Sequence, residues 1–125
     1  MANISTVLMV DDNQSDHIIS KVAVEAYDSS IAMHSVYDGQ EALDLLATLE
    51  SPPEVIFLDI NMPGMDGHEF LVEYEKRREN SSVVVMLTTS DQASDKERCL
   101  AYSFVKEYIM KPLESNDLEV VSKLL

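Results

Sequence analysis

Basic residues are scarce in this sequence. Nine Lys and Arg stand against 23 Asp and Glu, which gives a formal net charge of −14. A domain that binds nucleic acid uses Lys and Arg to contact the phosphates. The composition therefore argues against nucleic-acid binding, and it favours a protein that meets other proteins or binds cations.

Cysteine and long apolar runs are scarce too. Cys99 stands alone, so the chain cannot form an internal disulfide, and we expect a reduced, cytoplasmic setting. No apolar run approaches the roughly 20 residues that span a bilayer, so we expect no membrane partner. The opening "MANISTVLMVDD" has no basic segment before its apolar stretch and no small-residue cleavage site after it, which predicts no secretory signal.

Five short apolar runs are present, several of them β-branched and nearly continuous. Such runs are typical of strands that are covered on both faces. They are TVLMV (6–10), IAMHSV (31–36), VIFL (55–58), VVVML (83–87) and YIM (108–110). The segments between them have helical spacing; in the first, Ile18 and Val22 fall on one apolar stripe. The alternation predicts an α/β fold with a parallel five-stranded sheet and helices on both faces. We expect a single domain over residues 1–125, with no output domain in this sequence.

Two helices carry start signals. Asp38 precedes "GQEAL" with Glu41 three residues on, and Asp66 precedes "GHEFL" with Glu69 three residues on. Each pair resembles a capping box, in which the aspartate accepts hydrogen bonds from unpaired backbone N–H groups. Asp66 is therefore predicted to be a helix cap.

Polar residues stand at the ends of four predicted strands. They are Asp11 and Asp12 after the first strand, Asp59 after the third, Thr88 at the end of the fourth and Lys111 after the fifth. Ligands of doubly wound sheets bind at the carboxyl ends of the strands. If the first and third strands are neighbours, three carboxylates converge there.

The repulsion within such a cluster must be offset by protonation or by a cation, and a divalent cation is the natural choice. Two unit charges about 4 Å apart cost about 4 kcal/mol at an effective dielectric near 20, and Mg²⁺ prefers the oxygen ligands that carboxylates supply. Lys111 would add an ammonium and Thr88 a hydroxyl, which together indicate a phosphoryl site. Taken singly, Asp11 and Asp12 could be helix caps, Lys111 a surface lysine and Thr88 a strand residue. The joint placement is what indicates a site.

Four segments carry a family resemblance. "VLMVDDN", "VIFLDINMPGMDGHEFL", "VVVMLTTSD" and "YIMKPL" resemble the corresponding segments of the receiver domain of two-component response regulators, a family that includes chemotaxis regulators. The resemblance extends from about Ser5 to Leu125. It implies a flavodoxin-like (βα)5 fold with strand order 2-1-3-4-5.

The resemblance also implies a reaction. Asp59 would accept a phosphoryl group from a partner histidine kinase or histidine phosphotransfer protein, with Mg²⁺ or Mn²⁺ as cofactor. Asp12 and Asp59 would bind the metal directly, the backbone carbonyl of Asn61 would be a third ligand, and Asp11 would act through water. Lys111 would contact the phosphoryl group. Such a domain is not an enzyme in the usual sense, although self-phosphorylation from small donors and self-dephosphorylation are implied.

A switch is implied as well. Thr88 would bond to the phosphoryl group in the active state, and Tyr108 would change rotamer in response. The Lys111–Pro112 peptide bond would be cis. The fourth helix, fifth strand and fifth helix would present the changed surface to a downstream protein target, or to a second copy in a homodimer.

Other functions remain open on the residues alone. A flavin-binding electron carrier would need a Thr-, Ser- or Gly-rich loop after the first strand, where "VDDNQSD" is acidic. A phosphohydrolase with an aspartyl nucleophile would want a second acid at position 61, which is Asn61. A phosphate-independent interaction module would be expected to lack one of the five site residues.

The histidines and the cysteine have ordinary explanations. We expect the donor histidine to come from a partner, and His17, His34 and His68 to be helix-surface or strand side chains. Cys99 is predicted to be a small buried hydrophobic residue.

Overall fold

A computed structural model describes residues 4–77 and 81–125. Five parallel strands form one sheet in the order β2-β1-β3-β4-β5, which confirms the predicted fold and strand order. The strands are β1 (Thr6–Val10), β2 (Ala32–Val36), β3 (Val55–Leu58), β4 (Val83–Thr88) and β5 (Val105–Met110). Residues 1–3, where the stretch tested for a secretory signal begins, lie outside the described residues.

Five helices alternate with the strands and cover both faces of the sheet. They are α1 (Gln14–Tyr27), α2 (Gly39–Thr48), α3 (Gly67–Glu75), α4 (Ala93–Leu100) and α5 (Ser115–Ser122). Helices α1 and α5 pack on one face, and α2, α3 and α4 pack on the other. Across residues 4–77 and 81–125, none of the helices combines the length and the apolar character needed to cross a membrane.

The core has two halves because side chains alternate along each strand. Val7 and Met9 of β1 face α1 and α5, whereas Leu8 and Val10 face α2 and α3. All four are buried. Burial of an aliphatic side chain of this size stabilises a fold by about 1.5–3 kcal/mol. This two-sided burial explains why the central strands are continuous apolar runs in the sequence.

Strand β5 contains a bulge at Lys106. Val84 pairs with Val105, but Val85 pairs with Glu107, so one residue of β5 has no partner in the register. Residues three apart on a regular strand face opposite sides. Val105 and Tyr108 nevertheless pack against the same half of the core. The bulge therefore turns Tyr108 toward α4.

The predicted apolar stripe of α1 does not face the sheet. Ile18 is 59% exposed and Val22 is 65% exposed, whereas His17, Ser20 and Val24 are buried. These three lie on one face of the helix because they are three and four residues apart. A hydrogen bond from Nε2 of His17 to the carbonyl oxygen of Asp11 (2.8 Å) holds that face inward. A buried polar contact at the helix start has overridden the hydrophobic pattern.

Candidate functional site

Three carboxylates meet at the carboxyl edge of the sheet. Asp11 follows β1, Asp59 follows β3, and one oxygen from each of Asp11, Asp12 and Asp59 lies within 4.8 Å of the others. The sheet hydrogen bonding continues one residue past both strands, because the N–H of Asp59 donates to the carbonyl of Val10 (3.0 Å) and that of Asp11 donates to Val36 (3.1 Å). Asp11 and Asp59 are buried and Asp12 is exposed. The cluster is thus held by backbone and open at one rim.

Asp11 is the most deeply buried of the three. Its Oδ1 accepts a hydrogen bond from the N–H of Asn13 (2.9 Å). Its Oδ2 lies 2.7 Å from Nζ of Lys111, yet accepts no hydrogen bond of regular geometry, so the contact is an ion pair without a directed hydrogen bond. Burial raises the pKa of the Asp11 carboxyl; Lys111 and Asn13 oppose this rise, and the charge of Asp59 adds to it.

The Lys111 ammonium joins the carboxylates. It makes hydrogen bonds to Oδ2 of Asp16 (2.8 Å) and to Oδ2 of Asp59 (3.2 Å). Burial lowers the pKa of this ammonium. The contacts with Asp11, Asp16 and Asp59 raise it by more, so the net shift of the pKa is upward. Lys111 is therefore a fixed positive charge at neutral pH. The Lys111–Pro112 peptide bond is cis.

The loop from β3 to α3 is held close against the strand end. Asp59 Oδ1 accepts a hydrogen bond from the N–H of Ile60 (2.8 Å), and Gly67 donates its N–H to the carbonyl of Ile60 (2.8 Å). A Cβ on Gly67 would lie 2.4 Å from the carbonyl oxygen of Asp59, so the approach requires glycine. Asn61 lies in this loop and is exposed.

Asp66 begins α3 as its N-cap. Its Oδ1 accepts from the N–H of Glu69 (2.9 Å), and its own N–H donates to Oε1 of Glu69 (3.2 Å), which completes a capping box. Asp66 is separate from the three-carboxylate cluster, which consists of Asp11, Asp12 and Asp59. Its position at the helix start accounts for its sequence spacing to Glu69.

Thr88 and Tyr108 converge on Ser90. The buried Oγ1 of Thr88 accepts a hydrogen bond from the N–H of Ser90 (3.2 Å), and the Tyr108 hydroxyl donates to the Ser90 carbonyl (2.8 Å). The backbone N–H of Lys111 donates to the Thr88 carbonyl (3.0 Å). Within the described part of the chain, the side-chain hydrogen bonds of Thr88 and Tyr108 run to Ser90 and not to the carboxylates.

The expectation for two of the histidines is wrong. His17 and His68 are both buried, although each lies on a helix. Nε2 of His68 lies 3.0 Å from Oδ1 of Asp95. Helix spacing alone does not reveal such partners, because they come from loops and from other helices. His34 is half-buried on β2, and Cys99 is fully buried as predicted.

Asp16 contacts Lys111, and the sequence pattern does not predict this contact. Asp16 lies on the first turn of α1, four residues after Asp12. An acidic residue in the first turn of a helix has an ordinary explanation in the helix dipole, so nothing in the sequence pattern singles Asp16 out. Its side chain instead reaches Lys111.

Comparison with known families decides what this geometry belongs to. Residues 7–122 match the profile described as the response regulator receiver domain. The chain belongs to the response regulator receiver domain family. Receiver domains are signalling domains and not enzymes in the usual sense, and membership implies interaction with kinases and downstream effectors. The acidic cluster is a place where a metal ion could bind.

Individual proteins of known sequence or structure are similar to this chain. A probable methanogenesis regulatory protein, FilR2 of Methanothrix harundinacea, is 34% identical over 119 residues, covering 90% of this chain and 76% of that protein. A two-component response regulator from Cytophaga hutchinsonii superposes with a TM-score of 0.88 at 27% identity, covering 98% and 97% of the two chains. The phosphorylated cyanobacterial phytochrome response regulator RcpA superposes with a TM-score of 0.77 at 28% identity, covering 97% and 90%.

Proposed function

We propose that Asp59 of this receiver domain accepts a phosphoryl group from a phosphohistidine of a partner kinase or histidine phosphotransfer protein. The single observation that carries this proposal is the contact between Asp59 and the Lys111 ammonium beside two further carboxylates. An oxygen nucleophile, a fixed cation and a cluster suited to a metal are the groups that phosphoryl transfer requires. We further propose that the domain works in the cytoplasm, with protein partners and without nucleic acid or membrane.

The cofactor that best fits the cluster is Mg²⁺, or Mn²⁺ in its place. Oδ2 of Asp11 is buried and lacks a directed hydrogen bond, which a divalent cation nearby would offset. Asp12, Asp59 and the carbonyl of Asn61 would hold the ion, with Asp11 acting through water. When bound, the ion neutralises charge on the phosphoryl oxygens.

The transfer step exchanges one bond for another. A carboxylate oxygen of Asp59 forms a bond to phosphorus while the bond from phosphorus to the donor imidazole nitrogen breaks. The electron pair of that bond stays on the imidazole. Lys111 contributes its ammonium to an oxygen of the arriving group through a charge-assisted hydrogen bond. The same site is proposed to accept phosphoryl groups from small donors and to lose them to water.

The signal would leave the site through Thr88. Its hydroxyl would turn to the phosphoryl group, which would disturb the hydrogen bond from Ser90 and, through the Ser90 carbonyl, the one from Tyr108. Tyr108 would then change rotamer. The surface of α4, β5 and α5 would present this change to a downstream target or to a second copy of the chain.

Intact-mass measurement tests the acceptor. The protein is incubated with Mg²⁺ and acetyl phosphate, with and without EDTA. We expect a phosphoryl adduct on the wild type that Asp59→Asn and EDTA both abolish. Asp66→Asn is the matched control, because Asp66 lies in the same loop as Asp59 but its carboxylate caps helix α3. We expect the Asp66→Asn variant to form the adduct as the wild type does. Equal yields for the wild type and Asp59→Asn would refute Asp59 as the acceptor.

A further inference from the structure

Three carboxylates share the single ammonium of Lys111. The Nζ atom lies 2.7 Å from Asp11, 2.8 Å from Asp16 and 3.2 Å from Asp59. An ammonium has three N–H donors and no acceptor. Two of these contacts, to Asp16 and Asp59, are hydrogen bonds, so a phosphoryl oxygen that binds Lys111 competes for the ammonium with carboxylates that already contact it.

The three partners differ in how easily they can leave. The side chains of Asp11 and Asp59 are 1% and 8% exposed, whereas that of Asp16 is 28% exposed. Asp11 and Asp59 belong to the metal cluster, and Asp59 would carry the phosphoryl group itself. Asp16 belongs to neither set, and it lies on the first turn of α1, where water can replace the lysine as its partner.

We infer that Asp16 is a positioning residue that competes with the phosphoryl group for Lys111. It holds the ammonium while Asp59 is unmodified, and it gives the ammonium up when the phosphoryl group arrives. This inference rests on the proposed function of Asp59. The free energy of breaking the Asp16–Lys111 pair is subtracted from the binding of the phosphoryl group, so Asp16 weakens the phosphorylated state.

A purely structural role for Asp16 predicts the opposite sign. Asp16 lies near the start of α1, where an acidic side chain interacts favourably with the helix dipole. If it only supported the helix or fixed the position of Lys111, its removal would loosen the site and weaken binding. Competition predicts that its removal strengthens binding. The direction of the change therefore separates the two roles.

Trifluoroberyllate is a suitable probe because it is an anion with the tetrahedral shape of a phosphoryl group and attaches to a carboxylate without covalent turnover. Its affinity is measured by calorimetry at saturating Mg²⁺ for the wild type, Asp16→Asn and Asp16→Glu. Glu25→Gln is the matched control, because it removes the same charge from an exposed position of the same helix. Asp16→Ser serves as a second neutral variant should Asp16→Asn fold poorly.

We expect Asp16→Asn and Asp16→Ser to bind trifluoroberyllate about two- to fivefold more tightly than the wild type, the range of an ion pair with one partner partly in solvent. Asp16→Glu and Glu25→Gln should stay near the wild-type affinity. Equal or weaker binding by the neutral variants, with a wild type that binds, overturns the competition alone. A wild type that does not bind trifluoroberyllate overturns the proposed function and this inference with it.

Discussion

His68 of α3 and Asp95 of α4 are joined side chain to side chain, with Nε2 of His68 3.0 Å from Oδ1 of Asp95. The other oxygen of Asp95 accepts a hydrogen bond from the Ser90 hydroxyl (2.7 Å). The Ser90 bond and then His68 lower the pKa of the Asp95 carboxyl. One carboxylate thus ties α3 to the loop between Thr88 and α4.

This tie should make stability depend on pH in the acid range. Because the pKa of Asp95 is lowered from its ordinary value of 3.8 by folding, its contribution is present above that value and is lost as the pH falls through the folded pKa. Asp95→Asn should therefore lower the free energy of unfolding by about 0.2–1 kcal/mol at pH 7, and by less near pH 3. Urea denaturation at several pH values measures this. Asp91→Asn, in the same loop, is the control; a loss independent of pH would contradict the assignment.

Gly67 should be far less replaceable than Gly39. A Cβ at Gly67 meets the backbone oxygen of Asp59 at 2.4 Å, whereas one at Gly39 first meets the side chain of Met65, at 2.7 Å. Gly67→Ala should destabilise the fold by about 1–3 kcal/mol, as overpacking does, and Gly39→Ala by less because a methionine side chain can move. Thermal unfolding of both variants provides the comparison. Equal losses would show that the loop yields as easily as Met65.

The rotation of α1 can be tested with two neighbouring valines. Val24 is 1% exposed and Val22 is 65% exposed. Val24→Ala should cost about 1.5–3 kcal/mol through lost burial and the cavity left behind. Val22→Ala should stay within about 0.5 kcal/mol of the wild type. Chemical denaturation measures the free energy of unfolding of both variants. A larger loss for Val22→Ala than for Val24→Ala would show that the apolar stripe with Ile18 and Val22 faces the sheet.

Cys99 should be inert in the folded protein. Burial and the nearby charge of Asp95 raise the pKa of its thiol to about 11, and only the thiolate is nucleophilic. At pH 8 a disulfide reagent should react slowly with the native protein and rapidly with the protein unfolded in urea, which is its own control. Similar rates in the two states would show that Cys99 is accessible.

The sequence located the strands best where the sheet interior left no alternative. β1 and β3 span 6–10 and 55–58 as predicted, because both are covered on two faces and, after Thr6 at the start of β1, consist of apolar residues. β5 begins at Val105 and not at residue 108, because this edge strand contains Lys106 and Glu107 and so lacks a continuous apolar run. Charged residues at an exposed edge hide a strand from pattern reading.

The residues of the site likewise fall into those that the sequence pattern predicts and those that it does not. Asp11, Asp59 and Lys111 were predictable, because the strand-end rule depends only on topology. Asp16 and the His68–Asp95 pair were not, because their contacts depend on the rotation of a helix about its axis. Each residue along a helix turns by about 100°, so a small change in rotation selects different partners. That rotation is fixed by buried contacts such as His17 with Asp11, which join residues from different elements.

Because of the bulge in β5, the side of the sheet that Tyr108 faces depends on the number of residues in the strand. Lys106 is exposed, so most substitutions there would alter only a surface side chain. Deleting Lys106 would remove the unpaired residue and leave Val105 and Tyr108 two residues apart, so a regular strand would present both to the same side of the sheet. Tyr108 would then keep the side of the core that it shares with Val105, where its hydroxyl reaches Ser90. A residue inserted between Glu107 and Tyr108 would instead turn Tyr108 to the opposite side of the sheet, so an insertion here should be far more damaging than a replacement or the loss of Lys106.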